Sequence, residues 1–505
     1  MSERAARGIL ALAVLAYVAV FVWFSPLDIQ DFPNHLARAT VMDDLLFHHG
    51  AQFGQNFQFH FLFTPYVLGD LLLAGVVSLF GVTAAAIIWV ILTFLSLPAS
   101  LFAYLRARET SAHVTVLMLL ISLYLSTDTF FIKGFTEFRL SIALVLVAMA
   151  LVELLRRRWS VVNLGVYALV VVSAYLIHLA AVAFIAAAVG ASGLWRLVLR
   201  KSRFDREVLL MSPVVAILGW HVLAAAHYRQ PEDMVVGEPG WGTLAGKLSG
   251  LLWGFLRYNP HRDYLLLAIF AAFLLFCLAR RDWDRRAFLT PRALEPLGYA
   301  LVFLAMYFAL PSQQIEASYI DVRALALVPL FLVLGLLNLP PRTSAVVARP
   351  SVVLMCLAAA VAFGNLAYLV SQFRRDSVWV AQYRAVVANI PEHAAVLPVF
   401  TFTHQLSLFM NLHVASFAVM DRHALIPYLF SGDRGAPMKY FRYVSRPYAP
   451  DELWYHSRQD SEVDWTQVRK NYRYLLMMKP FNATRIPVET RTVAESDAAA
   501  LLALE

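Results

Sequence analysis

Runs of about twenty apolar residues, recurring from Ile9 to Val370, constrain this chain more than any other feature. A bilayer's hydrocarbon core is roughly 30 Å thick and a helix rises about 1.5 Å per residue, so each run has the length of a membrane crossing. The balance of the 505 residues agrees: 60% are apolar and 15% charged, against about 45–50% and 25% in soluble domains. An ordinary soluble enzyme is excluded. A polytopic α-helical membrane protein is expected.

Charge density then divides the chain. Asp, Glu, Lys and Arg fill 13% of positions 1–371 but 21% of positions 372–505, which predicts a membrane domain over 1–371 and a small water-facing α/β domain over 372–505. In the second part, Trp379 to Asn389 reads as a helix stopped by Pro391, while Ala394 to Phe400, Val414 to Met420 and Tyr472 to Met478 read as strands. The formal net charge of +8 does not point to nucleic acid, because the cations lie in short clusters between apolar runs, where they orient helices. Cys277 and Cys356 both sit inside apolar runs, so the outer domain has no disulfide and the chain offers no cysteine metal site.

The basic clusters set the topology. Placing Arg4/Arg7, Arg106/Arg108, Arg156 to Arg158, Arg196 to Arg206, Arg280 to Arg292 and Arg342/Arg349 in the cytoplasm puts 19 Lys and Arg there, against 8 in the intervening outer loops. Eleven spans follow, at about 8–24, 82–105, 112–130, 139–155, 161–178, 179–199, 207–226, 263–279, 294–310, 324–339 and 351–371. This pattern suits a bacterial inner membrane with the N-terminus cytoplasmic and the C-terminal domain periplasmic. The stretch Pro65 to Gly81 cannot be a further crossing without inverting Arg106 and Arg108. It is expected to be an interfacial or re-entrant helix within the first outer loop, residues 25–81. No small-x-small cleavage site lies between Val18 and Pro26, so the first span is expected to be retained.

Chemistry is sought among polar residues at the outer rim. The first outer loop contains Asp31-Phe32-Pro33-Asn34-His35-Leu36-Ala37-Arg38. Pro33 suits a first helical turn, and Asp31, His35 and Arg38 then share one face at i, i+4 and i+7. The alternative is that Asp31 only caps the helix while His35 and Arg38 meet headgroups. Outer-face cations able to hold phosphate are Arg323, in Ile320-Asp321-Val322-Arg323, and Arg257, His261 and Arg262, in Arg257-Tyr258-Asn259-Pro260-His261-Arg262-Asp263; the alternative is that they snorkel to headgroups. His178 sits at a tight outer turn, as a donor contact or an interfacial anchor. His404, His413 and His423 are not at metal-ligand spacing on any helix, and with Arg422 they could line an acceptor entrance. The sequon at Asn482 has a high chance rate and no role is assigned to it. No P-loop, dinucleotide turn or His-Glu-x-x-His occurs, which disfavours ATP-driven transport, dinucleotide chemistry and zinc proteolysis.

An exported D-x-x-x-H…R segment directly after the first span, followed by an interfacial helix ending Leu79-Phe80-Gly81, resembles the glycosyltransferase C superfamily. That group includes the protein O-mannosyltransferases, the aminoarabinose transferases of lipid A and the oligosaccharyltransferases. The resemblance covers residues 8–371 and extends to the eleven spans and the outer C-terminal domain. It implies a membrane glycosyltransferase that moves a sugar, with inversion, from a polyprenyl-phosphate donor to a lipid or glycan acceptor. Asp31 matches the catalytic carboxylate. Phe32 stands where the mannosyltransferase and aminoarabinose branches usually carry a second acid, so neither branch is assigned.

By the same resemblance, later outer loops bind lipid phosphate, which favours Arg323, and acids of the second outer loop help a divalent metal or orient the acceptor. Asp128 and Glu137 match those acids by location. Asp31, Asp128 and Glu137 are thus candidate oxygen ligands for magnesium or manganese; the alternative is that Lys133 and Arg139 simply pair with Asp128 and Glu137. Two other readings stay open: a non-catalytic scaffold or lipid-binding protein of the same fold, and a secondary transporter. For the transporter the nearest ionisable residues are Asp70 and Glu153, but no halves match.

Overall fold

The computed structural model describes residues 3–25, 29–199, 202–227, 240–279, 291–314, 317–339, 348–399, 413–431, 440–450, 463–479, 486 and 488–505. Among them are seven helices long and apolar enough to cross a membrane and four shorter apolar ones. Together these fall on the eleven expected spans. Their outward faces carry Leu15, Val162, Leu169, Val222 and Leu223, each more than 60% exposed. Such a surface is suited to lipid rather than water.

The chain begins with α1 (Glu3–Trp23), then α2 (Phe32–Phe47) and the short strand β1 (Phe57–Phe59). Next comes α3 (Val67–Ala107), interrupted at Gly81, where φ is 76° and ψ 162°. Only glycine adopts that backbone cheaply. The break separates the stretch ending at Phe80 from the span that follows, in agreement with the expected non-crossing helix before residue 82.

Then follow α4 (Ala112–Leu125), the one-turn α5 (Thr129–Ile132), α6 (Thr136–Arg157), α7 (Val161–Ile177), α8 (Leu179–Val198) and α9 (Phe204–His227). Basic clusters meet at one end of this bundle. Arg108 pairs with Glu295 at 2.7 Å, Arg156 with Glu207 at 2.8 Å, and Arg196 with Glu295 and Glu153 at 3.3 and 3.4 Å. Three of the six basic clusters, those of Arg108, Arg156 and Arg196, thus share one end.

A hairpin of two-residue strands, β2 (Gln313–Gln314) and β3 (Ala317–Ser318), precedes the tenth span. The last span lies in Ala348–Val387, a 40-residue helix that runs without interruption past residue 371. The expected domain boundary therefore falls inside a helix. Val380, Tyr383, Val386 and Val387 are buried on its outer half, so it serves as a spine shared by both parts.

Beyond it, β4 (Val396–Val399) pairs in parallel with β6 (Tyr474–Met478), and β8 (Ala499–Leu504) joins β6 to β7 (Thr490–Glu495), both antiparallel. The remaining strand, β5 (Phe441–Tyr443), pairs instead with β1 of the first outer loop. One expectation fails: Val414 to Met420 is a 3-10 turn followed by the helix Phe417–Arg422, not a strand. Val414 through Val419 are all buried, and a fully buried apolar run has no periodicity to distinguish the two.

Candidate active site at the outer rim

The site is assembled where α2, the start of α3, the loop before α6 and the C-terminal domain converge. Asp31 occupies the N-cap of α2 with Pro33 in the first turn, but its carboxylate makes no capping hydrogen bond. Its backbone carbonyl instead receives the amides of Asn34 and His35, at 3.1 and 3.2 Å. The purely structural alternative for this side chain therefore does not describe it.

The backbone at Asp31 is held from behind by the segment between α5 and α6. Gln30 and Asp31 donate their amides to the carbonyls of Ile132 and Lys133, at 3.2 and 3.1 Å. That approach requires Gly134: its φ is 75°, and a Cβ there would lie 2.6 Å from the Phe32 nitrogen and 2.8 Å from that of Asp31.

The Asp31 carboxylate, 13% exposed, accepts a hydrogen bond from Gln30 Nε2 at 3.1 Å and lies 3.6 Å from His413 Nε2. Burial pushes its carboxyl up to about 6, against the opposing influence of His35, the Gln30 amide and Lys133. The tautomer of His413 is fixed by its neighbours. Asn34 Nδ2 donates to the Tyr428 carbonyl at 2.9 Å while Asn34 Oδ1 accepts the Phe430 amide at 2.8 Å. This orients the amide, so its second N–H, 3.2 Å from His413 Nδ1, donates to that atom. The ring proton then sits on Nε2 and faces Asp31. Burial lowers the His413 pKa to about 3 and keeps the ring neutral.

Lys133 is the neighbouring cation. Its ammonium stands 4.5 Å from the Tyr319 ring centre and 5.4 Å from that of Trp253, two rings stacked at 4.7 Å. Burial lowers its pKa to about 8, with Asp31 opposing the shift. The sequence placed Lys133 as a partner for a nearby carboxylate; the structure places it in an aromatic corner instead.

His35 and Arg38 continue the face below Asp31, as the i, i+4, i+7 spacing requires. Arg38 is fully buried, with Nη2 2.5 Å from Asp70 Oδ1, 3.0 Å from His35 Nδ1 and 3.9 Å from Glu137 Oε1. His35 Nδ1 is also 3.0 Å from Glu137 Oε1. Tyr440, from the C-terminal domain, donates a short hydrogen bond to Asp70 Oδ2. Gly69 lets α3 pass close to Glu137, since a Cβ there would lie 2.7 Å from Glu137 Cγ.

His178 caps α8 by accepting the Ala180 amide at 3.1 Å. Its Nε2 lies 2.9 Å from Arg323 Nη1 and 3.3 Å from the Tyr66 hydroxyl. Both His178 and Arg323 pack on Phe138, the residue after Glu137, so they border the cluster.

The remaining sequence candidates lie elsewhere. Asp128 caps α5 by accepting the Phe131 amide at 3.0 Å and pairs with Arg139 at 2.8 Å, one contact to each carboxylate oxygen. Arg257 is buried and bonded to Asp263, the Thr127 carbonyl and Asn365. His261 and Arg262 are exposed, Arg262 bonding Ser371. His423 and Arg422 both reach Glu392, at 3.2 and 2.9 Å, while His404 lies outside the described residues.

A different trio, His35, Asp70 and Glu137, brings three ligand atoms within 4.8 Å of one another. Arg38 stands among them, at the distances given above, and already supplies a cation there. Sequence reasoning named Asp70 only as a transporter residue and missed Asn34, Tyr440 and the placement of His413. An acid inside the apolar run Val67 to Val77 was the available signal for Asp70. Partners drawn from 400 residues away carried none.

No family profile matches this chain, and no curated protein matches it in sequence. Its fold matches the crystal structure of ArnT from Cupriavidus metallidurans in the apo state, with a TM-score of 0.54 at 15% identity over 99% of this chain and 98% of that one. The oligosaccharyltransferase of Archaeoglobus fulgidus, in complex with Zn and sulfate, matches with a TM-score of 0.45 at 12% identity over 93% of this chain and 68% of that one. The chain thus has the fold of ArnT over essentially its whole length.

Proposed function

We propose that this chain is an integral-membrane glycosyltransferase of the C type that takes a sugar from a polyprenyl-phosphate donor and passes it, with inversion, to an acceptor at the outer face of a bacterial inner membrane. The observation that carries this reading is Asp31: a carboxylate at a helix start, relieved of capping, partly exposed and poised near pH 6. A general base works best when its pKa is near the operating pH.

In the proposed step Asp31 takes the proton of the acceptor hydroxyl. The acceptor oxygen attacks the anomeric carbon, the bond from that carbon to the phosphate oxygen breaks, and polyprenyl phosphate departs. Lys133 is the cation we assign to the departing phosphate, since its charge acts on the Asp31 carboxylate; Arg323 and His178, which border the same cluster, position the lipid side of the donor. Neutral His413 orients the base through its Nε2 proton. His35, Arg38, Asp70 and Glu137 form the buried support beneath.

The decisive experiment is a transfer assay on the purified full-length protein with a panel of prenyl-linked sugars, read by mass spectrometry, for the wild type and Asp31→Asn. A folded, membrane-inserted Asp31→Asn protein that transfers sugar at the normal rate would remove Asp31 from the reaction.

A further inference from the structure

At the far end of α6 from Glu137, about 28 Å away at 1.5 Å per residue, lies a cavity of about 250 Å³. Its lining includes Arg156, Arg196, Arg203 and Arg206, with Ser202 and Trp159, and no acidic residue. The acids nearby are already engaged. Glu207 accepts two hydrogen bonds from Arg156 and one from Ser202 at 2.6 Å, Asp205 pairs with Arg203, and Glu153 and Glu295 are shared between Arg108 and Arg196.

Two donors are left over. Among the described residues, the Nε atom of Arg196 is buried without a hydrogen-bond partner, and the Nη1 atom of Arg156, whose side chain is 6% exposed, likewise makes no hydrogen bond and has Glu153 Oε1 only at 3.9 Å. Arg206 lies over the Trp159 ring at 5.7 Å, which holds its guanidinium beside the opening. Buried unsatisfied donors are costly, and a planar guanidinium matches phosphate oxygens. Four such groups around one opening make an anion site.

The surroundings select the anion's source. Leu194 and Val198 of α8 and Phe204 and Val208 of α9, within two residues in sequence of the lining residues Arg196, Arg203 and Arg206, are 48–72% exposed. That gives acyl chains exposed apolar side chains on the same two helices as the cations. We propose that this pocket binds the phosphodiester headgroup of an anionic phospholipid, in the leaflet at the basic end of the bundle. Basic pockets between spans are the arrangement that holds such headgroups. The proposal is independent of the chemistry assigned to Asp31.

Native mass spectrometry of the full-length protein, titrated with phosphatidylglycerol or with phosphatidylcholine, tests it. Phosphatidylglycerol should be retained preferentially. The double variant Arg203→Gln/Arg206→Gln, which changes two exposed side chains, should weaken that retention roughly thirtyfold, while Arg491→Gln on the outer domain should leave it unchanged. Equal retention of both lipids, or of phosphatidylglycerol by both variants, would overturn the proposal. So would stabilisation by inorganic phosphate alone with no further effect of lipid, which would make the ligand a soluble anion.

Discussion

Asp31 and Lys133 show how much a single side chain's surroundings decide. An aspartate in water titrates near pH 3.9 and a lysine near 10.4; burial moves this pair toward each other, to about 6 and about 8. The base must be deprotonated and the phosphate partner protonated. Transfer should therefore rise with pH through about 6 and fall through about 8, giving a bell-shaped profile of kcat/KM measured across that range; a flat profile would dissociate both groups from the reaction. Replacing Asp31 with Asn should lower kcat by about 10²–10⁴-fold, the usual worth of a positioned base. Lys133→Gln should abolish the alkaline limb of the profile and cut kcat by about 10²-fold or more, with the fold retained by circular dichroism. Asp31 was legible in the sequence because its i, i+4, i+7 companions are local. Lys133 was not, because its aromatic corner is built from Trp253 and Tyr319, more than a hundred positions away.

At the scale of elements, α2 is the organising piece, pinned by a loop on one side and by buried ion pairs on the other. The Gly134 tie is tight enough that Gly134→Ala should destabilise the protein by about 1–3 kcal/mol, from a left-handed backbone and a Cβ forced against two amides; a thermal-unfolding scan in detergent would register the loss. Arg38→Ala should cost more, about 3–5 kcal/mol, because it leaves Asp70 and Glu137 buried without their cation. Arg38→Lys should not restore it, as the shorter lysine side chain falls short of the Nη2 position from which Arg38 meets Asp70, His35 and Glu137. The spans were legible from apolar length alone, and the break at Gly81 from the parity of Arg106 and Arg108. The helix Phe417–Arg422 was not, since the apolar run Val414 to Val419 that leads into it is buried throughout. Strand β8 was missed for the related reason that an alanine-rich segment such as Ala498 to Leu502 has weak intrinsic strand character.

Across the whole molecule, two polar sites sit at opposite ends of α6, with apolar helices between them. The outer one is composite. His413 and Tyr440 belong to the C-terminal domain yet reach Asp31 and Asp70, so a chain truncated after Val387 should insert in the membrane but lose transfer to background in the same mass-spectrometric assay. Retained activity would show the membrane part to be self-sufficient. Sequence composition could separate the two parts but could not foresee that they share one site, because nothing local in either part encodes a contact across nearly 380 positions. The C-terminal domain is fastened twice: once by the unbroken helix Ala348–Val387 and again by the β1–β5 ladder. A body tied at one point can swing about it, whereas one tied at two separate segments resists that rotation, so the sheet domain and the membrane helices should move as one piece.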